Sequence, residues 1–293
     1  MSLHPSAQNL RGILLMIAAM AGFAVEDMLL KSVYVRLPVG EILTLFGAGG
    51  TAVFAALVLR AGQPVLTCAA LTPAVWCRAG CEVAGRLFYT LAIALTPLSS
   101  ASAILQATPL VVTLGAALFF REHVGWRRWT AIAVGFLGVL ILLRPGLEGF
   151  TPASVFAVLG TLGFAGRDLA TRAAPKDLSN LQLGVYGFAV MVPTGIAMLA
   201  ATGGGVVPDA SEWARLAGAV GFGVVAYYML TAAMRIGEIG VVTPFRYTRL
   251  LFALILGVTV FAERPNGPTL IGAAVIVGSG LYTILRERRR RTD

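Results

Sequence analysis

Charged residues are scarce in this chain. Only 13% of its 293 residues are Asp, Glu, Lys or Arg, against about a quarter in an ordinary soluble domain. So few charges cannot cover the surface of a water-soluble fold of this length, and the 57% share of hydrophobic residues excludes intrinsic disorder. With a mean hydropathy of +0.82, the composition predicts an integral membrane protein.

Cysteine and histidine are also rare, which limits the chemistry that the chain can perform. The three cysteines form no disulfide framework, and Cys77 and Cys81 have no further Cys or His nearby to complete a metal site. The two histidines, His4 and His123, fall outside the apolar segments, so no Ser–His dyad is expected inside the membrane. We therefore expect no enzymatic activity, no cofactor and no bound metal.

The charge that is present is mostly positive, with a formal net charge of +9 and a pI of about 10.1. In a soluble protein such a surplus points to nucleic acid. Here an arginine cluster directly follows the last apolar segment, which is typical of a cytoplasmic anchor beside anionic lipid. We expect the lipid bilayer as a partner and no nucleic acid. The cluster consists of Arg286, Arg288, Arg289, Arg290 and Arg291.

Long apolar runs divide the chain into candidate membrane spans. A helix needs about 20 residues to cross a bilayer, whereas barrel strands would alternate polar and apolar residues over about ten positions. The runs are continuous, and they predict an all-α integral membrane protein. The ten expected transmembrane helices lie at 11–36, 40–61, 74–96, 98–120, 127–144, 153–174, 180–202, 211–236, 239–262 and 267–286.

The second half of the sequence repeats features of the first. Gly-Phe-Ala-Val-Glu-Asp at 22–27 recurs as Gly-Phe-Ala-Gly-Arg-Asp at 163–168, and Phe-Arg-Glu at 120–122 recurs as Phe-Ala-Glu at 261–263. Both recurrences are offset by 141 positions, which indicates a duplication of five helices, with repeats at 1–146 and 147–293. Because five is odd, the second repeat enters the membrane from the opposite side, which predicts two inverted repeats.

The basic residues of the connections predict the orientation. With both termini in the cytoplasm, the inner connections hold most of the lysines and arginines. Since inner loops of membrane proteins are enriched in these residues, we expect a multi-pass protein of the cell inner membrane with both termini cytoplasmic. Monomer and homodimer both remain open. The outer connections would hold Lys31, Arg36, Arg144, Arg215 and Arg264.

Local motifs carry a family resemblance. Each Phe-x-Glu signature, at 120–122 and at 261–263, is followed by a glycine-rich apolar helix, and residues 244–249 read Pro-Phe-Arg-Tyr-Thr-Arg. With ten spans and two repeats, the chain resembles the EamA-type branch of the drug/metabolite transporter superfamily over essentially its whole length. The resemblance implies a secondary transporter that exports small metabolites through a central cavity between the repeats, open to one side at a time.

The resemblance does not identify the substrate. Export of amino acids, aromatic or neutral, is the favoured function. Export of other metabolites or of cationic drugs, of the nucleoside/purine or multidrug type, is the alternative, and a channel or an intramembrane enzyme is less favoured. Proton-coupled and facilitated transport are both open.

Ionisable residues inside the spans are costly and are therefore candidate functional residues. Asp27 with Lys31, and Asp168 with Arg172, stand four positions apart with the acid first, so each pair can neutralise itself on one helix. Protonation of a buried acid can alternatively drive transport. The candidates for coupling or for a structural role are Glu26, Asp27 and Asp168.

Substrate contacts are expected where the repeats differ, because a substrate is itself asymmetric. At the offset of 141, Glu82 corresponds to Gly223, and Arg246 and Arg249 correspond to residues without charge. The two arginines either bind a substrate carboxylate or pair with Glu82 or Glu26 across helices. With the aromatic and hydroxyl groups at the same levels, the predicted substrate-binding residues are Glu82, Arg86, Tyr89, Gln106, Thr108, Tyr227, Tyr228, Arg246, Tyr247 and Arg249.

Overall fold

The computed structural model describes residues 5–33, 36–95, 104–143, 153–261 and 267–289. Within these ranges the chain forms helices and no strand, which confirms the all-α class. The helices are α1 (Pro5–Lys31), α2 (Val39–Arg60), α3 (Pro73–Leu95), α4 (Thr108–Phe119), α5 (Trp126–Leu143), α6 (Ser154–Ala173), α7 (Asn180–Ala189), α8 (Met191–Thr202), α9 (Ala210–Ile236), α10 (Ile239–Val242), α11 (Thr248–Phe261) and α12 (Gly267–Arg289), with short 3₁₀ helices at Cys68–Leu71 and Thr243–Tyr247.

Each apolar segment contains helix, but the segments differ in their capacity to cross a bilayer. Five of the described segments are long and apolar enough by length and composition: Ala7–Leu30, Val39–Arg60, Asn180–Thr202, Ala210–Ile236 and Ile239–Leu256. Further apolar helices are shorter, at Thr108–Phe119, Trp129–Ile141 and Leu270–Tyr282. Five spans are therefore supported by this criterion, and the full set of ten stays a prediction.

Prolines accompany breaks in two of the segments. α7 ends at Ala189 and α8 begins at Met191, because Pro193 has no N–H to donate to the carbonyl of Ala189. Pro244 likewise lies in the 3₁₀ turn that joins α10 to α11. The backbone is therefore irregular at these two levels.

The two halves of the chain pack through helices that the offset of 141 relates. α3 packs along α6 and α1 packs along α9, while α2 packs on α7 and α8, and α5 on α12. A Cβ atom on Gly22 would lie 2.9 Å from Cβ of Ala226, and one on Gly163 would lie 2.5 Å from the backbone nitrogen of Gly85. Since Gly163 follows Gly22, and Ala226 follows Gly85, by 141 positions, the same close helix contact is built twice.

Connections gather at both ends of α9. At its start, Arg36 of the α1–α2 connection donates from Nε to Oε1 of Glu212 at 2.8 Å. At its end, Arg235 donates from Nη1 to the carbonyl of Leu178 at 2.7 Å and from Nη2 to the carbonyl of Pro175 at 3.0 Å. In the predicted topology, the connections at the start of α9 lie on the outer side of the membrane and those at its end lie on the inner side. The grouping of connections is therefore compatible with helices that cross the membrane in alternating directions.

A capping box closes the N-terminus of α9. The backbone N–H of Glu212 donates to Oδ1 of Asp209 at 2.9 Å, and the backbone N–H of Asp209 donates to Oε2 of Glu212 at 2.8 Å. The hydrogen bond from the Glu212 backbone is the main reason why the pKa of Asp209 is lowered from its ordinary value. The hydrogen bond to Glu212 raises the pKa of Arg36.

Candidate functional site

Glu82 of α3 is fully buried and has partners on three helices. Arg167 of α6 donates from Nη1 to Oε1 at 3.3 Å, and the hydroxyl of Tyr227 of α9 donates to Oε2 at 2.9 Å. Nε of Arg86, one turn along α3, lies 3.7 Å from Oε1. These partners let a carboxylate remain in the apolar interior. Glu82 and Arg86, which stand four residues apart on α3, thus form an ion pair.

Arg78, which is not among the predicted site residues, belongs to the same network. It is 1% exposed, and it donates from Nε to the hydroxyl of Thr171 at 2.9 Å and from Nη2 to the hydroxyl of Tyr227 at 2.7 Å. The sequence did contain a signal, because Arg78, Glu82 and Arg86 stand four apart and share one face of α3. Arg78 lies near one end of its apolar segment, where the side chain of an arginine can ordinarily reach the membrane surface.

Asp168 of α6 receives two arginines. Arg167 donates from Nε to Oδ1 at 2.9 Å, and Arg246 of the 3₁₀ turn donates from Nη1 to Oδ2. All three residues are largely buried, with side-chain exposures of 7% for Arg167, 2% for Asp168 and 13% for Arg246. Asp168 therefore joins the α3–α6 network to the interrupted segment that contains Pro244.

The expected pairing of Asp168 with Arg172 is wrong. Arg172 donates from Nη1 to the carbonyl of Arg235 at 2.8 Å, and its Nη2 lies 3.8 Å from Oε1 of Glu122. One turn beyond Asp168, α6 is near its end at Ala173, and the Arg172 side chain reaches the carbonyl at the end of α9. The Phe-x-Glu carboxylate at 122 also receives the backbone N–H of Ile239 at 3.3 Å.

Asp27 of α1 is paired across helices rather than along its own. Arg249 of α11 donates to its Oδ2 from Nε at 2.9 Å and from Nη2 at 2.5 Å, and the guanidinium lies 5.2 Å from the centroid of the Phe23 ring. Asp27 is more than half exposed, so this pair is far less buried than the pair between Asp168 and Arg246. The side chain of Lys31, the other proposed partner, lies outside the described side chains.

Arg246 and Arg249, which correspond to uncharged residues in the first repeat, therefore contact the aspartate that occupies the same position in both repeats. Arg246 binds Asp168, and Arg249 binds Asp27. Cross-helix pairing was one of the two expectations for these arginines, although the acids considered from the sequence were different ones. The hydrogen bonds of both arginines to these acids favour a structural role for both in this conformation.

Glu26 is buried in a different manner. The residue is 2% exposed, and its Oε2 atom has no hydrogen-bond partner among the residues that the structure describes. A Cβ atom on Gly223 of α9 would lie 3.1 Å from this oxygen and 2.7 Å from Cζ of Phe46 of α2. The carboxyl group is thus enclosed by a glycine and an aromatic ring.

A narrow cleft lies beside the network, between α3, α2 and the break between α7 and α8. Its polar lining includes Glu82, Arg86 and Thr194, and its apolar lining includes Leu43 and Met191. Nε of Arg86 forms no hydrogen bond within the described part of the chain. The cleft is too narrow to hold a water molecule, so it is closed to a substrate in this conformation.

The remaining predicted site residues lie apart from the Glu82 carboxylate or serve local contacts. Tyr228 is 40% exposed and lies on the outer face of α9, whereas Tyr227 faces inward. The ring of Tyr247 packs where a Cβ atom of Gly135 would stand, 2.7 Å away. The hydroxyl of Thr108 donates to the carbonyl of Leu105 at 2.5 Å.

Two further predicted residues remain near the α3–α6 contact. Tyr89 is half-buried, and its ring makes an edge contact with Phe164 at a centroid distance of 6.1 Å. Gln106 is buried in the turn before α4. The structure therefore brings together Glu82, Arg86 and Tyr227, and it leaves Tyr228 on the outside.

A bundle of apolar helices that buries paired charges is typical of membrane transport proteins. The EamA-like transporter family matches this chain twice, at residues 10–144 and at residues 151–285. The chain belongs to the EamA-like transporter family, as its motifs predicted. It is a multi-pass membrane protein that transports small metabolites, and the family consists of transporters rather than enzymes.

The relatives carry different compounds. The chain is 27% identical over 205 residues to the S-adenosylmethionine uptake transporter of Rickettsia bellii, covering 70% of each protein. It is 31% identical over 200 residues to the riboflavin transporter of Rhizobium johnstonii, covering 68% of this chain and 65% of that one. It is 29% identical over 273 residues to the pseudopaline exporter CntI of Pseudomonas aeruginosa, covering 91% and 93%.

The fold also has a counterpart among solved structures. A crystal structure of another protein, 22% identical, matches with a TM-score of 0.80 over 98% of this chain and 99% of that chain. This likeness shows a shared fold. Because the named relatives include both uptake and export proteins, the substrate and the direction of transport have to be argued from the site.

Proposed function

We propose that the protein is an inner-membrane secondary transporter that exports amino acids, aromatic or neutral, by alternating access. The observation that carries this proposal is Arg86. Arg86 lines the cleft, and its Nε donates no hydrogen bond among the described residues, whereas Arg167, Arg246 and Arg249 donate hydrogen bonds to acids. An arginine with an unpaired Nε beside apolar side chains suits a carboxylate attached to an apolar group.

The network around Arg86 has a surplus of positive charge. Five arginines and four acids take part in the described region, so the arginines outnumber the acids whether or not Glu26 is ionised. The carboxylate of a substrate would pair with this surplus, and Leu43 and Met191 would contact the apolar side chain. The members are Arg78, Arg86, Arg167, Arg246, Arg249, Glu26, Asp27, Glu82 and Asp168.

The proposed transport cycle uses the duplication. We assign the repeats to 1–146 and 147–293 and place both termini in the cytoplasm. The paired glycine contacts, Gly22 with Ala226 and Gly163 with Gly85, support a two-fold relation between the halves. With five helices each, the halves would be inverted, and rocking one against the other would widen the cleft first on one side and then on the other.

Counterflow in proteoliposomes tests the proposal. Vesicles loaded with unlabelled phenylalanine should take up labelled phenylalanine through the wild-type protein. Arg86→Gln removes charge-assisted hydrogen bonds worth about 1.5–3 kcal/mol, so KM should rise about ten- to a hundredfold. Arg215→Gln, an exposed arginine whose Nη1 lies 3.4 Å from the carbonyl of Ser32, is the matched control and should leave KM unchanged.

Substrate competition distinguishes the outcomes. Tyrosine, tryptophan and leucine should compete with labelled phenylalanine. Exchange of riboflavin, a nucleoside or a cationic drug, with no exchange of any amino acid, would overturn the amino-acid assignment. Transport in intact cells then gives the direction, and net uptake rather than efflux would overturn the proposed export.

A further inference from the structure

The two repeats differ at a buried contact between helices. At the offset of 141, Glu26 corresponds to Arg167, and Gly223 corresponds to Glu82. Between α3 and α6, Arg167 donates to the Glu82 carboxylate at 3.3 Å. At the related contact between α1 and α9, an acid replaces the arginine and a glycine replaces the acid. Glu26 therefore faces a position that offers it no side chain.

The space between Glu26 and Gly223 is narrow in this conformation. A single Cβ atom on Gly223 would already lie 2.7 Å from Cζ of Phe46, a distance that real Cβ atoms essentially never show. The carboxyl oxygen Oε2 is nevertheless without a hydrogen-bond donor in the described structure. An ionised carboxylate with this oxygen unpaired is costly to bury. A proton fits at this oxygen without displacing an atom.

Two arginines and two acids lie around Glu26. Arg86 and Glu82 face it from α3, Arg249 faces it from α11, and Asp27 is its neighbour on α1. Arg249 donates both its hydrogen bonds to Asp27, and Arg86 lies 3.7 Å from Glu82. The elements α2 and α9 present the Phe46 ring and Gly223, as described above. Neither arginine hydrogen-bonds to the free oxygen.

We propose that Glu26 is the proton-binding site through which this transporter is coupled to the proton gradient, an inference that rests on the proposed amino-acid transport. In the conformation described here the carboxyl group carries the proton. When α1 moves against α9 and water enters, the O–H bond breaks, the proton passes to water and Glu26 becomes a carboxylate. Rebinding of a proton from the other side completes the exchange of one proton for the substrate.

The structure distinguishes Glu26 from the two other acids that were candidates for coupling. Asp168 accepts hydrogen bonds from Arg167 and Arg246, and Asp27 accepts two from Arg249. These donors stabilise the charged carboxylates and oppose protonation. Glu26 is the acid in this group whose free oxygen has no such donor among the described residues.

Gradient-driven transport is the first test. Proteoliposomes with an acidic interior should accumulate labelled phenylalanine against its gradient. The quantity compared between variants is the ratio of this accumulation to the exchange measured without a pH gradient. In Glu26→Gln, this ratio should fall to the value found for vesicles that have no pH gradient. Glu41→Gln is the matched control, because Glu41 accepts a hydrogen bond from the backbone of Val206 outside the network. If Glu26→Gln keeps the wild-type ratio, the inference is overturned. It is also overturned if the wild-type protein exchanges phenylalanine but does not accumulate it under a pH gradient. Both outcomes leave the proposed function intact.

Infrared spectroscopy tests the site without any substrate. The purified wild-type protein at neutral pH should show the carbonyl stretching band of a protonated carboxylic acid, which disappears on alkalinisation. Glu26→Gln should lack this band and Glu41→Gln should keep it. An identical band in Glu26→Gln would overturn the proposed proton site. This result does not depend on the counterflow assay, so the proton site can be tested even if no amino acid is transported and the proposed function is wrong.

A second variant covers the case in which Glu26→Gln does not assemble. Phe46→Leu keeps the carboxyl group and removes part of the ring that encloses it. Water entering beside Glu26 would stabilise the carboxylate, so the acid band should disappear at lower pH than in the wild type. An unchanged titration in Phe46→Leu would contradict the proposal.

Discussion

The hydroxyl of Tyr227 donates a hydrogen bond to the carboxylate of Glu82 at 2.9 Å and thereby links α9 to α3. The same hydroxyl accepts a hydrogen bond from Arg78 at 2.7 Å. Tyr227 belongs to the second half of the chain, and the other two residues belong to the first. The polar interior is therefore shared between the halves rather than duplicated in each.

Tyr227→Phe should destabilise the protein. The change keeps the ring, which packs against Phe188 at a centroid distance of 5.2 Å, but it removes the hydroxyl between Arg78 and Glu82. Leaving buried polar groups unsatisfied costs about 1–3 kcal/mol. Thermal unfolding in detergent should show a lower Tm. Tyr228→Phe, the same change on the exposed neighbour, should leave Tm unchanged, and equal shifts in the two variants would contradict the bridging role.

Asp168 and Arg246 should be strongly coupled. In a double-mutant cycle with Asp168→Asn and Arg246→Gln, removing one member leaves an unbalanced buried charge, and removing both relieves part of that cost. We expect a coupling energy of about 1–3 kcal/mol from unfolding measurements. The more exposed pair of Asp27 and Arg249 should give about 0.2–1 kcal/mol. A larger value for the exposed pair would refute this ranking.

Gly163→Ala should separate α3 from α6. A Cβ atom at this position would lie 2.5 Å from the backbone nitrogen of Gly85, and a backbone atom cannot move away as a side chain can. Overpacking of this kind costs about 1–3 kcal/mol, which a lower Tm would reveal. Gly221→Ala is the control because its Cβ would meet nothing within 4 Å. That variant should be neutral or slightly stabilised, since alanine favours helix.

The capping box of α9 predicts a pH dependence. The pKa of Asp209 is lowered in the folded protein, chiefly by the backbone N–H of Glu212. A lowered pKa in the folded state means that the stabilisation is complete above the unfolded pKa of about 3.9. It is lost as the pH falls through the lower, folded value.

Asp209→Asn isolates this effect, because asparagine also caps helices well but does not titrate. The difference in Tm between the wild type and this variant should be constant near neutral pH and should shrink in acid, at pH values near and below about 4. A difference that stays constant through this acid range would show that the carboxylate charge does not contribute.

The sequence predicts the helical class, the family and several members of the polar interior. The continuous apolar runs are enough to predict the helices, and the offset of 141 is enough to identify Glu82 as a position at which the two halves differ. The ion-pair partners of the buried charges could not be predicted in this way. Whether Asp168 meets Arg172 on its own helix or Arg246 on another depends on how the helices pack, and the spacing along one helix does not contain that information.

Tyr227 and Tyr228 illustrate the same limit. They are adjacent in the sequence, and hydropathy treats them alike, yet one is 1% exposed and the other 40%. Adjacent residues on a helix point in directions about 100° apart, so only the position of α9 in the bundle decides which tyrosine reaches Glu82. Glu26 was selected for its charge, and its distinguishing feature, the facing glycine, emerged only from the packing.

The two ends of α9 have different consequences for movement. Its beginning is tied by Glu212 to Arg36 of the first half, whereas its end is tied by Arg235 to the α6–α7 connection of its own half. In the proposed transport cycle, rocking of one half against the other would strain the first contact and could preserve the second. Salt would screen the ion pair of the half-exposed Arg36 with Glu212 and would thereby weaken the contact between the halves at this end of α9.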